Sequence, residues 1–124
     1  MNNATPALAV IDGVLCQLTR KGARARGHTP LATAVVEICP GPLCTYVREH
    51  PHGLLPGLPN LYCLDGALRL QWLAEWPEAA GPCTEIRGVY GGTLVALAAS
   101  GAVVRLEAAT GRLQRIDPPL AAAI

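Results

Sequence analysis

Between Thr84 and Asp117 the chain is cut at regular intervals by the turn-forming pairs Gly91-Gly92, Ser100-Gly101 and Thr110-Gly111, and the segments between them are short and apolar. Runs of roughly seven to nine residues closed by such pairs have the rhythm of an antiparallel meander. Four strands are therefore expected in this stretch. No segment of the chain carries a convincing 3.6-residue apolar period, so helices cannot supply the framework. The fold class that follows is all-β, an antiparallel meander of about ten short strands.

The same punctuation runs through the rest of the chain. Asp12-Gly13 lies between Ala7–Ile11 and Val14–Thr19, and Asp-Gly between two β-prone runs reads as a tight hairpin whose turn residues both need positive φ. Arg20, Lys21, Arg24 and Arg26 then place four cations within seven residues. Gly and Ala separate them, and no aromatic side chain is near to stack a base, so a solvated basic loop is expected. Strands are expected over Leu31–Cys39 and Leu43–Arg48, around Pro40-Gly41-Pro42. Two more are expected over Asn60–Leu64 and Leu68–Trp76, across Asp65-Gly66. In the last of these Leu68, Leu70, Trp72 and Ala74 share one face, and Trp76 continues it. The resulting division is a single domain, 1–124. It comprises an N-terminal hairpin and basic loop (1–30), two four-stranded units (31–77 and 84–117), and a tail (118–124) that docks as an extended segment or frays.

Residues 91–116, GGTLVALAASGAVVRLEAATGRLQRI, resemble one blade of the quinoprotein-type (PQQ-like) β-propeller repeat. Leu106-Glu107-Ala108-Ala109-Thr110-Gly111 stands where that blade carries Leu-Asp-Ala-Ala-Thr-Gly, with Glu in place of Asp. Asn60–Gly66 followed by Leu68–Trp72 is similar to the second half of a preceding blade. The resemblance implies two propeller-blade-like units. A closed propeller needs at least about four blades of some 40 residues. The units must then combine with another molecule or form an open or sandwich-like sheet. The family's quinone site has no counterpart here, since no adjacent cysteine pair and no acidic metal cluster exist. No cofactor is expected.

Composition narrows the function. A net charge of +1 gives no electrostatic footprint for nucleic acid or an anionic membrane. No apolar run approaches the ~20 residues of a membrane span, and the N-terminus lacks the basic start of a signal peptide. A cytoplasmic setting follows. There, five scattered cysteines (Cys16, Cys39, Cys44, Cys63 and Cys83) are expected to stay reduced. Hydrophobic residues make up 51% of the chain and charged residues 15%. That leaves little charge to cover sheet faces and edges, and Leu94-Val95-Ala96-Leu97 and Val103-Val104 are aliphatic on both faces. A second copy, in a homodimer, is the expected cover.

No nucleophile elbow, phosphate loop or paired-carboxylate pattern is present, and no enzyme is expected. The irregular stretch Glu49–Pro59 holds three Pro and two Gly in eleven residues. Loops of that length on a rigid sheet are a usual place for recognition. With Trp76 and Arg87, residue types enriched at binding hot spots, it defines an expected protein-binding surface: His50, His52, Leu54, Leu55, Trp76 and Arg87. The reading is a non-catalytic interaction module, extending to an immunity-type neutraliser of one partner. The alternative is a metal- or thiol-dependent site at Cys39, Cys44, His50 and His52, the one cluster in the sequence with metal-ligand residue types.

Overall fold

The computed structural model describes residues 7–119, and these form eleven strands in three antiparallel sheets. The first sheet is a three-stranded meander of β1 (Ala7–Ile11), β2 (Val14–Leu18) and β3 (Arg24–His28). The middle sheet holds β4 (Val35–Pro40), β5 (Cys44–Glu49), β6 (Leu61–Asp65) and β7 (Leu70–Leu73) in chain order. The last holds β8 (Cys83–Tyr90), β9 (Thr93–Ala98), β10 (Val103–Glu107) and β11 (Leu113–Asp117), also as a meander. A single 3-10 turn, Glu78–Ala80, interrupts the connection between β7 and β8. The opening strands β1, β4 and β8 lie in sequence beside one another. None of the sheets closes into a barrel.

Alternation explains how the sheets stack. In β6, Leu61 and Cys63 enter one apolar cluster while Tyr62 and Leu64 enter the other. Successive strand residues point to opposite faces, so this strand is buried on both sides, and its unbroken apolar sequence follows from that. One cluster joins Tyr46, Leu61 and Cys63 to Leu94, Ala96, Val104 and Leu106 of the last sheet. The other joins Val47, Tyr62 and Leu64 to Leu15 of the first. The middle sheet is therefore covered on both faces by its own chain. The sequence had pointed to Leu94–Leu97 of β9 and Val103-Val104 of β10 as needing outside cover. There, Leu94 and Ala96 face inward at 0% exposure, and Val95 on the outer face is 8% exposed.

Several expectations are corrected. The basic loop contains β3, an edge strand paired to β2 with Leu15 opposite His28 and Gln17 opposite Arg26. Arg24 and Arg26 are its solvated side chains, the kind of charge that blunts an edge against further pairing. The fourth strand begins at Val35, not Leu31, because the amides of residues 31 to 33 bond to a carboxylate rather than to a neighbouring strand. The Asp65-Gly66 hairpin is a wider turn. Leu68 adopts φ 62°, and the Asp65 carboxylate accepts from the amides of Ala67 and Arg69. A register shift at Cys63/Leu64 then turns Leu70 out to 46% exposure while Leu68 stays buried. The seventh strand ends at Leu73, so Trp76 lies beyond it. Asp12-Gly13 does form the expected tight turn, with φ 52° and 78°. The four strands of 84–117 fall where the glycine turns place them. Of the expected tail, Leu120–Ile124 lies outside the described residues.

Candidate functional site

The irregular chain between β5 and β6 is held at both ends. At its start, the backbone of His50 donates to the Ala34 carbonyl at 2.7 Å. At its end, buried Asn60 donates from Nδ2 to the carbonyls of Glu49 and Cys83, 2.8 Å each, and its Oδ1 accepts from the Cys83 amide at 2.9 Å. One side chain thereby fixes the loop's exit and ties the middle sheet to the first residue of β8. Between these anchors Pro51, Pro56 and Pro59 remove amide donors and prevent a ladder, so the segment stands as a wall rather than as another strand.

Facing that wall is the connection from β7 to β8. Trp76 donates its indole N–H to the Gly81 carbonyl at 2.7 Å, which fixes the ring plane. Ala99 and Ser100, in the turn after β9, donate to the carbonyls of Pro82 (2.8 Å) and Ala80 (3.1 Å) and brace this connection from behind. Together the two walls flank a cavity of about 320 Å³ that is open to solvent. Leu54, Leu55, Leu58 and the three loop prolines line one side, and Trp76, Glu78, Gly81 and Pro82 the other, with Asn60 and Ala74 between them. The volume lies at the low end of the range for ligand sites.

Three of the six residues expected at a binding surface therefore converge: Leu54, Leu55 and Trp76. The other three do not. His50 and His52 are exposed on the outside of the loop, where the His50 ring accepts the His52 amide through Nδ1 at 3.0 Å. Arg87 is on β8, paired with Glu85 at 3.2 Å, and is absent from the cavity lining. Glu78, Asn60 and Pro82 are cavity residues that the sequence did not single out. The other tryptophan, Trp72, is 5.9 Å from Tyr46 between ring centroids and packs with the core. Tyr62 packs in the other apolar cluster, away from both tryptophans.

The cysteine–histidine alternative is not assembled. Cys39 and Cys44 flank the turn at one end of the β4–β5 hairpin, and His50 and His52 follow the other end of β5. At ~3.3 Å per strand residue, about 20 Å separates Cys44 from His50. No group of three or more potential metal ligands occurs among the described residues. Cys39 and Cys44 instead pack against the same apolar cluster as Cys63 and Tyr46. All five cysteines are free thiols. Burial, with Cys44 close by, pushes the Cys63 thiol up to about 12, and burial does the same to Cys83. A thiol held that far up carries almost no nucleophilic thiolate at neutral pH.

One polar network escaped the sequence reading. Glu49, the last residue of β5, is 1% exposed. Its carboxylate accepts from the amides of Leu31 (2.6 Å), Ala32 (2.9 Å) and Thr33 (2.9 Å) and from the Tyr62 hydroxyl. The phenol has one proton and gives it to Glu49, so His28 Nε2, 2.7 Å away, is the donor to the phenol oxygen. Burial pushes the Glu49 carboxyl up, but the Tyr62 and backbone hydrogen bonds together outweigh it and hold it below its ordinary value. Burial lowers the His28 pKa, opposed by the Glu49 charge. None of His28, Glu49 and Tyr62 lines the cavity beside Trp76. The network is a clasp that holds residues 31 to 33 against the middle sheet.

No protein-family model matches the chain, and comparison with curated proteins gives no match either.

Proposed function

We propose that this protein is a non-catalytic binding module that takes an extended apolar segment of a protein partner into the cavity between the loop 51–59 and Trp76. The observation that carries the proposal is the convergence of Leu54, Leu55 and Trp76 on one braced cavity, with Leu55 left 69% exposed at its mouth. A large aliphatic side chain in that position is mostly left to solvent by the described residues, and contact with an apolar ligand would desolvate it at about 25 cal/mol per Å². Proline and tryptophan walls suit an extended ligand, since they are stiff and lose little entropy on binding.

Five free thiols fit a reducing compartment, which supports the cytoplasmic setting. Neutralising one partner in the manner of an immunity protein is the role such a module would play there. The two consecutive four-stranded meanders, packed face to face, support reading each as blade-like. Self-association is part of the proposal, supported by the half-exposed Leu70, Leu73 and Ile116 on the edge strands β7 and β11.

Selection of a random peptide library against the whole protein tests the site. Enriched peptides are expected to lose tenfold or more in affinity for Leu55→Asp, because a buried apolar contact is replaced by a charge that must be desolvated. They are expected to bind Leu43→Asp as tightly as the parent, although Leu43 is the more exposed leucine at 85%. Equal losses at both positions would mean non-specific adhesion to apolar surface and would end the proposal.

A further inference from the structure

We infer that the ligand of this cavity carries a cation beside its apolar group, and that the Glu78 carboxylate receives it. The inference rests on the cavity being the binding site and adds the chemistry of what enters. Its basis is what the side chains of the two walls still have to offer. Four of the lining residues are prolines and have no amide hydrogen. The two neutral polar side chains of the lining are spent: Trp76 Nε1 on Gly81, and both Nδ2 hydrogens of Asn60 on Glu49 and Cys83. The amides of Leu54, Leu58, Ala74 and Gly81 are bonded to carbonyls of the chain itself.

Among the side chains of the lining, one charge remains. Glu78 is the sole charged residue of the lining, and it forms no ion pair with a described residue. Its neighbour Glu75 uses its carboxylate on the Leu113 amide. An anionic ligand would meet this carboxylate with no cation in the lining to offset it, and a neutral one would leave it unused. A lysine- or arginine-flanked aliphatic residue of a peptide would satisfy both the walls and the charge. Because Glu78 is solvent-exposed, the gain is modest, on the order of two- to fivefold in affinity.

The test uses simple probes on the intact protein, followed by amide and indole chemical shifts: n-hexylammonium, n-hexanol and n-hexanoate. The expected order of affinity is ammonium, then alcohol, then carboxylate, with shifts centred on Leu54, Leu55 and the Trp76 indole. Molar salt should compress that order, and Glu78→Gln should abolish the preference while the alcohol binds unchanged. Hexanoate binding as tightly as hexylammonium would overturn the inference, and so would an order that survives Glu78→Gln. In both cases the cavity would stand as an apolar site. Absence of shifts at Leu54, Leu55 and Trp76 with all three probes would instead overturn the cavity itself as a binding site.

Discussion

Replacing Gly111 by alanine is expected to remove about 3 kcal/mol or more of stability. A Cβ at this position would stand 2.3 Å from Cε3 of Trp72, 2.7 Å from Cδ2 and 2.9 Å from Cζ3. The indole cannot retreat freely, because it packs against the core cluster beside Tyr46. Overpacking of this kind costs roughly 1–3 kcal/mol. The backbone adds its own penalty, since Gly111 has φ 77° and a side chain in the left-handed region costs about 1–2 kcal/mol. Gly22 isolates the second effect, with φ 79° and no atom within 4 Å of the added carbon. Gly22→Ala should therefore cost only about 1 kcal/mol. Guanidinium unfolding of both variants gives the comparison. In a Trp72→Leu background the cost of Gly111→Ala should fall towards that of Gly22→Ala. Equal costs at the two glycines in the parent protein would show that the Trp72 indole does not stand against Gly111.

Glu49→Gln is expected to be comparably damaging, about 3 kcal/mol, because a charge-assisted acceptor of four hydrogen bonds is replaced by an amide that turns an NH2 group towards buried donors. The same substitution should change how stability depends on pH. The folded protein holds Glu49 below its ordinary value of 4.5. Its contribution is therefore complete above the unfolded pKa and lost as pH falls through the lower folded one. His28 adds an earlier slope. Its folded pKa lies below 6.5, so the unfolded chain binds the proton first and stability begins to fall as pH drops past that value. Removing Glu49 should flatten the acid limb of the stability curve and leave the limb near neutrality to His28. A parent protein whose stability is constant from pH 7 to pH 3 would contradict both assignments.

The sequence exposed the strands that depend on local turns and concealed those that depend on distant partners. Gly91-Gly92, Ser100-Gly101 and Thr110-Gly111 impose backbone conformations that few other residues adopt, so the last sheet could be read directly. The edge strand β3 could not, because Arg24-Ala25-Arg26-Gly27 carries the small and charged residues of a solvated loop, and its pairing to β2 is a tertiary fact. Glu49 was hidden for the same reason. Arg48-Glu49-His50 reads as solvated chain, whereas the amides that bury it arrive from 16 to 18 residues earlier.

The site was half visible. Proline density and a tryptophan at a strand end marked Leu54, Leu55 and Trp76. His50, His52 and Arg87 were grouped with them by nearness in sequence or by residue type, neither of which fixes the direction of a side chain. Glu78 gave no signal, since one glutamate in a polar connection is unremarkable until a cavity is found beside it.

Fluorine NMR of protein labelled with fluorotryptophan offers the most direct test of the cavity, because the chain has only two tryptophans and they lie on opposite sides of the question. Trp76 lines the cavity, and Trp72 packs against Gly111. Titration with a library-selected peptide should move the Trp76 resonance saturably and leave the Trp72 resonance in place, with at least about tenfold more peptide needed for the same Trp76 shift in Leu55→Asp. A saturating peptide that shifts Trp72 alone, or neither resonance, would place binding elsewhere on the molecule.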